Sequence, residues 1–309
     1  MIVSISPGKA ILLGEHGVVY GKPCISVAIS LKVAVNIEES QEFYVNNEPL
    51  NEKKHTYMKK AIERIWNGKP ISITIFSQIP SASGLGSSSA ITTACVACLL
   101  AMKGEFSIEE VAKKSFEIEY EVQNGGSPND TSVCTYGNAI LTWGKKLSGY
   151  LWEILKGDKK WYIYPVKTPD IKFVIGHTGT KSKTPLLIKK IKKFVEYSSF
   201  GKELINEMEK FVIEGKKALE NRDFVKLGEI MNENHKILHT LGTSSKEIEK
   251  LINASLKAGA YGAKVTGAGG GGSIIAISDN PEKVANAIEK RKGRAYIVSI
   301  AKEGVKILK

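Results

Sequence analysis

Residues 80–90 read Pro-Ser-Ala-Ser-Gly-Leu-Gly-Ser-Ser-Ser-Ala, a composition that suits a loop binding phosphate groups. Gly84 and Gly86 lack a Cβ atom, so the backbone can turn tightly there and present successive N–H groups to an anion. An apolar run of helical character follows, and the positive end of its dipole would add to the attraction. The segment therefore predicts a polyphosphate site, with a serine-rich helix cap as the alternative. Because no Gly-Lys-Ser/Thr ending is present, it is not a Walker A loop.

Three charged side chains elsewhere are of types suited to acid–base and metal chemistry. Lys9 lies between Gly8 and an apolar run, so it could be held partly buried beside a carboxylate or an oxyanion. Glu119 is expected near the end of a helix, and Asp130 follows eleven residues later, beyond a Gly-Gly turn. Two carboxylates placed in this way could have separate roles, one as a metal ligand and the other as a proton donor or acceptor. Ordinary surface charges are the alternative.

A second glycine-rich segment, residues 267–272, formally matches Gly-x-Gly-x-x-Gly. A dinucleotide-binding fold would require a helix to begin at the third glycine. The sequence Ser-Ile-Ile-Ala-Ile follows instead, which is typical of a strand, so that fold is rejected. What remains is a flexible backbone that lets a ligand approach closely, with a simple hinge as the alternative.

The formal net charge of +12 comes almost entirely from lysine, since the 309 residues include only four arginines. Proteins that read nucleic acids use arginine forks and stacked aromatic rings, and neither pattern is visible. The densest basic stretch, residues 181–193, has apolar residues at helical spacing, which predicts a solvated helix face. We therefore expect no nucleic-acid partner, although binding to DNA or RNA remains a rival hypothesis.

Other features favour a cytoplasmic protein without a membrane partner. The longest apolar stretch, residues 90–102, is too short to cross a bilayer, and no basic-then-apolar leader is visible. The four cysteines form no disulfide framework, and Cys95 and Cys98 are expected to be small buried thiols. His235 and His239 lie one helical turn apart but lack the glutamate of a His-Glu-x-x-His site, so they are interpreted as ordinary helix residues.

These residues require a mixed α+β scaffold in two halves, the second rich in helix. Strands are predicted at residues 2–5, 24–37, 71–76, 133–143, 172–175, 273–278 and 295–300. Helices are predicted at residues 54–66, from Ser107 to about residue 122, across 185–241, from Ser244 to about residue 257, and at 281–291. Residues 143–169 show no clear periodicity, and their end is the candidate domain junction.

Three segments together resemble the motifs of the GHMP kinases. They are Ser-Pro-Gly-Lys at residues 6–9, residues 80–90, and Lys-Val-Thr-Gly-Ala-Gly-Gly-Gly-Gly at residues 264–272. Within this family, residues 14–23 resemble the mevalonate kinases, and the Ser-Pro-Asn-Asp turn at 127–130 resembles their archaeal form. Thr131 stands where the commoner form of the turn has asparagine. The resemblance implies the two-domain α+β fold of the family. Its parts would be a ribosomal protein S5-like nucleotide-binding domain at residues 1–168 and a ferredoxin-like, helix-rich domain at residues 169–309.

The resemblance also implies a reaction and roles for residues. The reaction would be Mg²⁺-dependent transfer of the γ-phosphoryl group of ATP to mevalonate, carried out by a homodimer. Asp130 would act on the substrate hydroxyl as acid/base or orienting residue, and Lys9 would lower the pKa of that hydroxyl. Residues implied around ATP are Pro80, Ser83, Gly84, Leu85, Gly86, Ser87, Ser88, Ser89, Gly267 and Gly269. Ser88 and Glu119 would hold the metal, and Glu15, His16 and Thr178 would contact the substrate.

Two alternatives stay open beside this interpretation. The first is another small-molecule kinase of the family, acting on phosphomevalonate or on a sugar. The second is a binder without catalysis on the same fold, which the joint presence of Lys9, Glu119 and Asp130 disfavours.

Overall fold

The computed structural model describes residues 1–180 and 184–308, so Lys181 and Lys183 of the basic stretch lie outside the described residues. The strands are β1 (Ile2–Leu13), β2 (Cys24–Glu39), β3 (Tyr44–Val45), β4 (Glu48–Pro49), β5 (Ile71–Ser77), β6 (Ala139–Trp143), β7 (Trp152–Lys156), β8 (Lys159–Val166), β9 (Lys172–His177), β10 (Gly262–Thr266), β11 (Ser273–Ile277), β12 (Arg294–Ser299) and β13 (Lys306–Leu308). The helices are α1 (Thr56–Ile65), α2 (Ser87–Met102), α3 (Ile108–Gln123), α4 (Asn129–Tyr136), α5 (Thr184–Tyr197), α6 (Ser199–Glu220), α7 (Phe224–Thr240), α8 (Lys246–Lys257) and α9 (Pro281–Glu289), with a short 3₁₀ turn at Gly17–Tyr20.

The strands form two sheets, as expected for an α+β protein in two halves. A nine-stranded sheet has the order β4-β3-β5-β2-β6-β8-β7, with β1 paired to β2 and β13 paired to β1. A four-stranded antiparallel sheet has the order β10-β11-β9-β12 and packs with the later helices. Because β13 pairs with β1, the end of the chain returns to the first sheet. The division at residues 168 and 169 stays a prediction.

The core of the first half is built around α2, which is apolar on nearly every side. Such a helix must be covered all round, and it packs against β1, β2, α1, α3 and α4. Cys95 and Cys98 on this helix are fully buried free thiols, which confirms the expectation for them. Ser4 on β1 donates a hydrogen bond to the carbonyl of Ala94 at 2.7 Å, so this buried hydroxyl beside α2 is satisfied.

The structure corrects several predicted elements. The strand predicted at 133–143 begins only at Ala139, because residues 129–136 form α4. Its β-branched residues favour a strand locally, but packing of α4 against α2, α3 and β1 overrides that preference. Residues 143–169, where no period was visible, contain the hairpin of β7 and β8. The strand β10 was also missed, and α8 is capped by Ser245 rather than Ser244, with the Ile248 N–H donating to its hydroxyl.

Membrane crossing has no support from the helices. Among the described residues, none of them combines the length and the apolar character that a bilayer span requires.

Candidate active site

The first glycine-rich segment forms a turn that leads directly into α2. Gly84 and Gly86 have φ values of 79° and 73°, in the left-handed region that favours glycine. Gly86 precedes the first residue of α2, and no side chain caps the amide groups of that end. Gly86 is the N-cap residue of α2, so the alternative of a serine- and glycine-rich turn that caps the helix stays open. Uncapped N–H groups at a helix N-terminus are a site where anions bind.

This turn borders a cleft of about 660 Å³ between the two halves of the chain. The second glycine-rich segment lies directly beside this turn, because a Cβ atom on Gly267 would lie 3.0 Å from the Gly84 carbonyl oxygen. Residues of both segments line the cleft together with Lys9 and Asp130. Nine of the residues predicted for the site line this cleft: Lys9, Ser83, Gly84, Gly86, Ser87, Ser88, Asp130, Gly267 and Gly269. The structure therefore contains a cleft lined by residues of both glycine-rich segments.

Lys9 and Asp130 form an ion pair inside the cleft. The Nζ of Lys9 lies 2.8 Å from Oδ2 of Asp130, and the two side chains are 3% and 33% exposed. Burial tends to lower the pKa of Lys9, but the Asp130 carboxylate outweighs it and the pKa of Lys9 is raised. Lys9 therefore stays a cation in the interior, beside a carboxylate that solvent or a ligand can reach.

Two local features of the fold place this pair. The register of β1 against β2 shifts between Pro7 and Gly8, and Lys9 follows this bulge. A Cβ atom on Gly8 would lie 2.8 Å from Ile79 Cδ1 and 3.0 Å from the carbonyl of Leu85, so only glycine permits this approach of β1 to the loop. The Lys9 N–H then donates to the Leu85 carbonyl at 2.9 Å. The side chain of Leu85 packs in the apolar core and does not belong to the cleft lining.

Asn129 is a residue of the site for which the sequence reasoning assigned no role. Its Nδ2 donates to Asp130 Oδ1 at 3.1 Å and to Ser26 Oγ at 2.7 Å. Its Oδ1 accepts a hydrogen bond from the hydroxyl of Thr142 at 3.1 Å. Asn129 thus ties Asp130 to β2 and β6 and fixes the direction of its carboxylate. The only sequence signal was its position directly before Asp130.

Glu119 on α3 is buried against the start of α2 and does not belong to the lining of the cleft. Its Oε1 accepts a hydrogen bond from the hydroxyl of Ser89 at 2.8 Å. The Ser89 side chain is therefore directed to this carboxylate and does not line the cleft. Burial, together with the negative charge of Asp130, raises the pKa of Glu119 to about 7. A buried carboxylate whose charged form is disfavoured by its surroundings fits a divalent cation, and Ser88, which also interacts with it, offers a second oxygen.

A second lysine–carboxylate pair lies near the first and is sealed from solvent. Lys264 on β10 and Glu15, just after β1, are 0% and 1% exposed, and the Lys264 ammonium donates to Glu15 Oε1. It also donates to the Val265 carbonyl at 2.7 Å. Burial raises the pKa of Glu15 despite Lys264, and burial lowers the pKa of Lys264. The pair joins the two halves of the chain. No role was assigned to Lys264 from the sequence, although its apolar neighbours Ala263 and Val265 were an available signal of burial.

The remaining predicted substrate residues contact the second glycine-rich segment. His16 Nε2 lies 3.1 Å from the carbonyl of Ala268, and burial lowers the pKa of His16 to about 4, so its ring is neutral near pH 7. Thr178 donates from its hydroxyl to the Gly272 carbonyl at 3.0 Å. Neither these two residues nor Glu15 and Pro80 belong to the lining of the cleft. In the structure, Glu15, His16 and Thr178 support the wall of the cleft from behind.

Comparison with known proteins shows which family the chain belongs to. Residues 56–138 match the family model of the GHMP kinases N terminal domain, and residues 216–297 match that of the GHMP kinases C terminal. Mevalonate kinases of Thermococcus sibiricus and Pyrococcus furiosus are 31% and 32% identical to the chain, each over 99% of the chain and 98% of the relative. The chain belongs to the GHMP kinase family. The resemblance expected from its three motifs is confirmed.

Solved structures agree with the family in fold. The mevalonate kinase of Methanococcus jannaschii superimposes on this GHMP kinase with a TM-score of 0.77 and 26% identity, covering 96% of the chain and 98% of that structure. A further mevalonate kinase crystal structure gives a TM-score of 0.78 at 26% identity, covering 98% and 100%. The predicted two-domain α+β fold of the family is confirmed, and the chain is a kinase.

The geometry of this GHMP kinase suits phosphoryl transfer. Such reactions depend mainly on positioning and on electrostatic stabilisation of the transferred group. The start of α2 offers N–H groups, Lys9 offers a buried positive charge, and Asp130 offers a carboxylate that can accept a hydrogen bond from a hydroxyl. All three face the same cleft.

Proposed function

We propose that the chain transfers the γ-phosphoryl group of ATP to the C5 hydroxyl of (R)-mevalonate, giving 5-phosphomevalonate for isoprenoid synthesis. The observation that carries this proposal is the Lys9–Asp130 pair, which opens into the cleft bounded by both glycine-rich segments. The identity of its relatives supports the choice of acceptor, because mevalonate kinases match the chain over nearly their full length.

In this proposal the phosphates of ATP lie against the turn at Gly84 and Gly86 and the start of α2. Gly267 and Gly269 close the site from the other half. The acceptor hydroxyl lies beside the Lys9–Asp130 pair, within reach of both side chains. The carboxylate of Asp130 orients that hydroxyl or accepts its proton, while the ammonium of Lys9 lowers the pKa of the hydroxyl and offsets the negative charge that develops on its oxygen.

Ser88 and Glu119 are the residues that would hold Mg²⁺. When bound, the ion would neutralise charge on the phosphate oxygens. Glu119 is suited to this because it is buried with a raised pKa, so a cation would restore its ionised form. The domain boundary at residues 168 and 169, a homodimer and a cytoplasmic location complete the proposal as predictions.

The acceptor is tested by coupled ADP-release assays with purified protein. Mevalonate, phosphomevalonate, galactose and homoserine are compared at equal concentration with ATP and Mg²⁺. The proposal expects kcat/KM for mevalonate to exceed the others by a factor of about 10³ or more, since acceptors that leave buried polar groups unpaired are rejected strongly. A negligible rate with mevalonate beside a fast rate with another acceptor overturns the choice of substrate and leaves the kinase assignment intact.

A further inference from the structure

A cluster of three potential metal ligands lies in the second half of the chain, outside the cleft. His235 and His239 are on α7, and Glu249 is on α8. His235 Nε2 lies 3.0 Å and His239 Nδ1 lies 2.9 Å from the same carboxylate oxygen, Glu249 Oε1. All three ligand atoms are within 4.8 Å of one another. In the part of the chain that the structure describes, no other three histidine, cysteine or acidic residues come together in this way.

We propose that this cluster binds one divalent transition-metal ion of the zinc class, with water completing the coordination. In tetrahedral zinc sites with bonds of about 2.0–2.1 Å, ligand atoms lie about 3.3 Å apart. The present nitrogen–oxygen separations need to open by only a few tenths of an ångström to admit such an ion. Two imidazole nitrogens and one carboxylate suit zinc, cobalt or nickel, whereas Mg²⁺ prefers oxygen ligands alone. The site goes beyond the proposed kinase function and is chemically distinct from Ser88 and Glu119.

The exposure of the three side chains suits entry of an ion from solvent. The side chain of His239 is 61% exposed, that of Glu249 is 32% exposed, and that of His235 is 10% exposed. His235 Nδ1 accepts a long hydrogen bond of 3.5 Å from the N–H of Val265. A metal on Nε2 moves the ring proton to Nδ1 and breaks this bond, so we expect micromolar rather than nanomolar affinity. The four cysteines are buried and do not compete for the ion.

The position of the cluster gives it a mechanical consequence. It joins the end of α7 to the start of α8, and the turn between these helices supports the second glycine-rich segment. The Gly270 N–H donates to the Thr243 carbonyl at 2.7 Å. Gly269 packs so closely on the same residue that a Cβ atom there would lie 2.4 Å from the Thr243 carbonyl oxygen. A metal bridge therefore fixes both ends of the turn that supports one wall of the cleft.

The test uses the full chain, free of nucleotide and Mg²⁺, titrated with Zn²⁺ in a calorimeter and with Co²⁺ in an absorption spectrometer. The wild type is expected to bind one ion per chain, with a rise in Tm of about 3 °C or more at saturating Zn²⁺. His239→Ala and Glu249→Gln are each expected to weaken Zn²⁺ binding by at least about tenfold. Glu247→Gln is the matched control, because Glu247 is exposed in the first turn of α8, outside the cluster.

The outcomes separate clearly. Wild-type binding with a loss in both ligand variants and none in Glu247→Gln supports the site. A wild-type dissociation constant above about 1 mM overturns it, and so does wild-type affinity in either ligand variant. Circular dichroism without metal shows whether each variant is folded. If Glu249→Gln does not fold, the exposed His239→Ala decides the question by itself.

Discussion

The two lysine–carboxylate pairs of this kinase, Lys9–Asp130 and Lys264–Glu15, have the same chemistry in different surroundings. Both lysines project from β-strands and are at most 3% exposed. The carboxylates differ, since Asp130 is 33% exposed to the cleft and Glu15 is 1% exposed. The pKa shifts of the two lysines have opposite signs, raised for Lys9 and lowered for Lys264.

This difference separates a reactive pair from a supporting pair. Groups that open to a cleft can exchange contacts with each other for contacts with a substrate, so Lys9 and Asp130 can take part in chemistry. A sealed pair has no such exchange, and removing one partner leaves an uncompensated buried charge. Lys264 and Glu15 therefore hold β10, and the glycine-rich segment that follows it, against the loop after β1.

The largest expected effect is on turnover at the open pair. Lys9→Met removes the buried positive charge beside the acceptor hydroxyl and is expected to lower kcat by about 10²–10⁴-fold. The measurement is steady-state ADP release. Lys302→Met is the matched control, because Lys302 also lies 2.8 Å from an aspartate, Asp170, which is 95% exposed. Equal losses in the two variants would contradict the assignment of a special role to Lys9.

The sealed pair should show its effect in stability instead. Lys264→Met leaves Glu15 buried without a partner and is expected to reduce the free energy of unfolding by about 3–5 kcal/mol. Urea denaturation measures this loss. The double variant Glu15→Gln with Lys264→Met should recover part of it, since neither charge remains. If Lys264→Met unfolds at the same urea concentration as the wild type, the pair has no supporting role.

His16, next to the sealed pair, should make the free energy of unfolding depend on pH. Its pKa falls from 6.5 to about 4 in the folded chain, mainly through burial. Between these values the unfolded chain binds more protons, so stability is lost as the pH falls from 6.5 to 4, by up to about 3 kcal/mol. Urea unfolding of the wild type and of His16→Gln, compared across this range, isolates the effect. The two proteins should lose stability in parallel if His16 is not responsible.

The smallest effect concerns the glycine that faces Lys9. Gly86→Ala and Gly104→Ala both place a side chain at positive φ, 73° and 74°, which costs about 1–2 kcal/mol each. Only at Gly86 does the new Cβ meet a neighbour, Lys9 Cγ at 2.6 Å; at Gly104 nothing lies within 4 Å. Gly86→Ala should therefore raise KM for ATP and lower kcat, while Gly104→Ala should affect stability alone. Identical kinetics in both variants would show that this contact is unimportant.

The sequence predicted the parts of the site that are local in the chain. The turn at Gly84 and Gly86 and the helix after it follow from neighbouring residues, and so does the strand that replaces a helix after Gly272. The position of α4 did not follow, because its β-branched residues favour a strand and only packing against α2, α3 and β1 makes it helical. The local preference for a strand is overridden here by tertiary packing, which favours the helix.

Contacts between residues far apart in the sequence were the other feature that local sequence patterns could not predict. Lys264 and Glu15 are 249 positions apart, and Glu249 joins His235 and His239 from a different helix. No rule of sequence spacing predicts such contacts, since they depend on how the sheets and helices pack. The roles of Lys9 and Asp130 came from resemblance to the family, and the structure adds the distance, the exposure and the anchoring by Asn129.

Asp130 is proposed to act on the acceptor hydroxyl in the cleft, and the turnover of Asp130→Asn with mevalonate and ATP tests this role most directly. Asparagine keeps the size of the side chain but removes the charge. We expect kcat to fall by at least about 10²-fold while the fold and the Kd for ATP stay close to those of the wild type. A kcat within threefold of the wild type would contradict it.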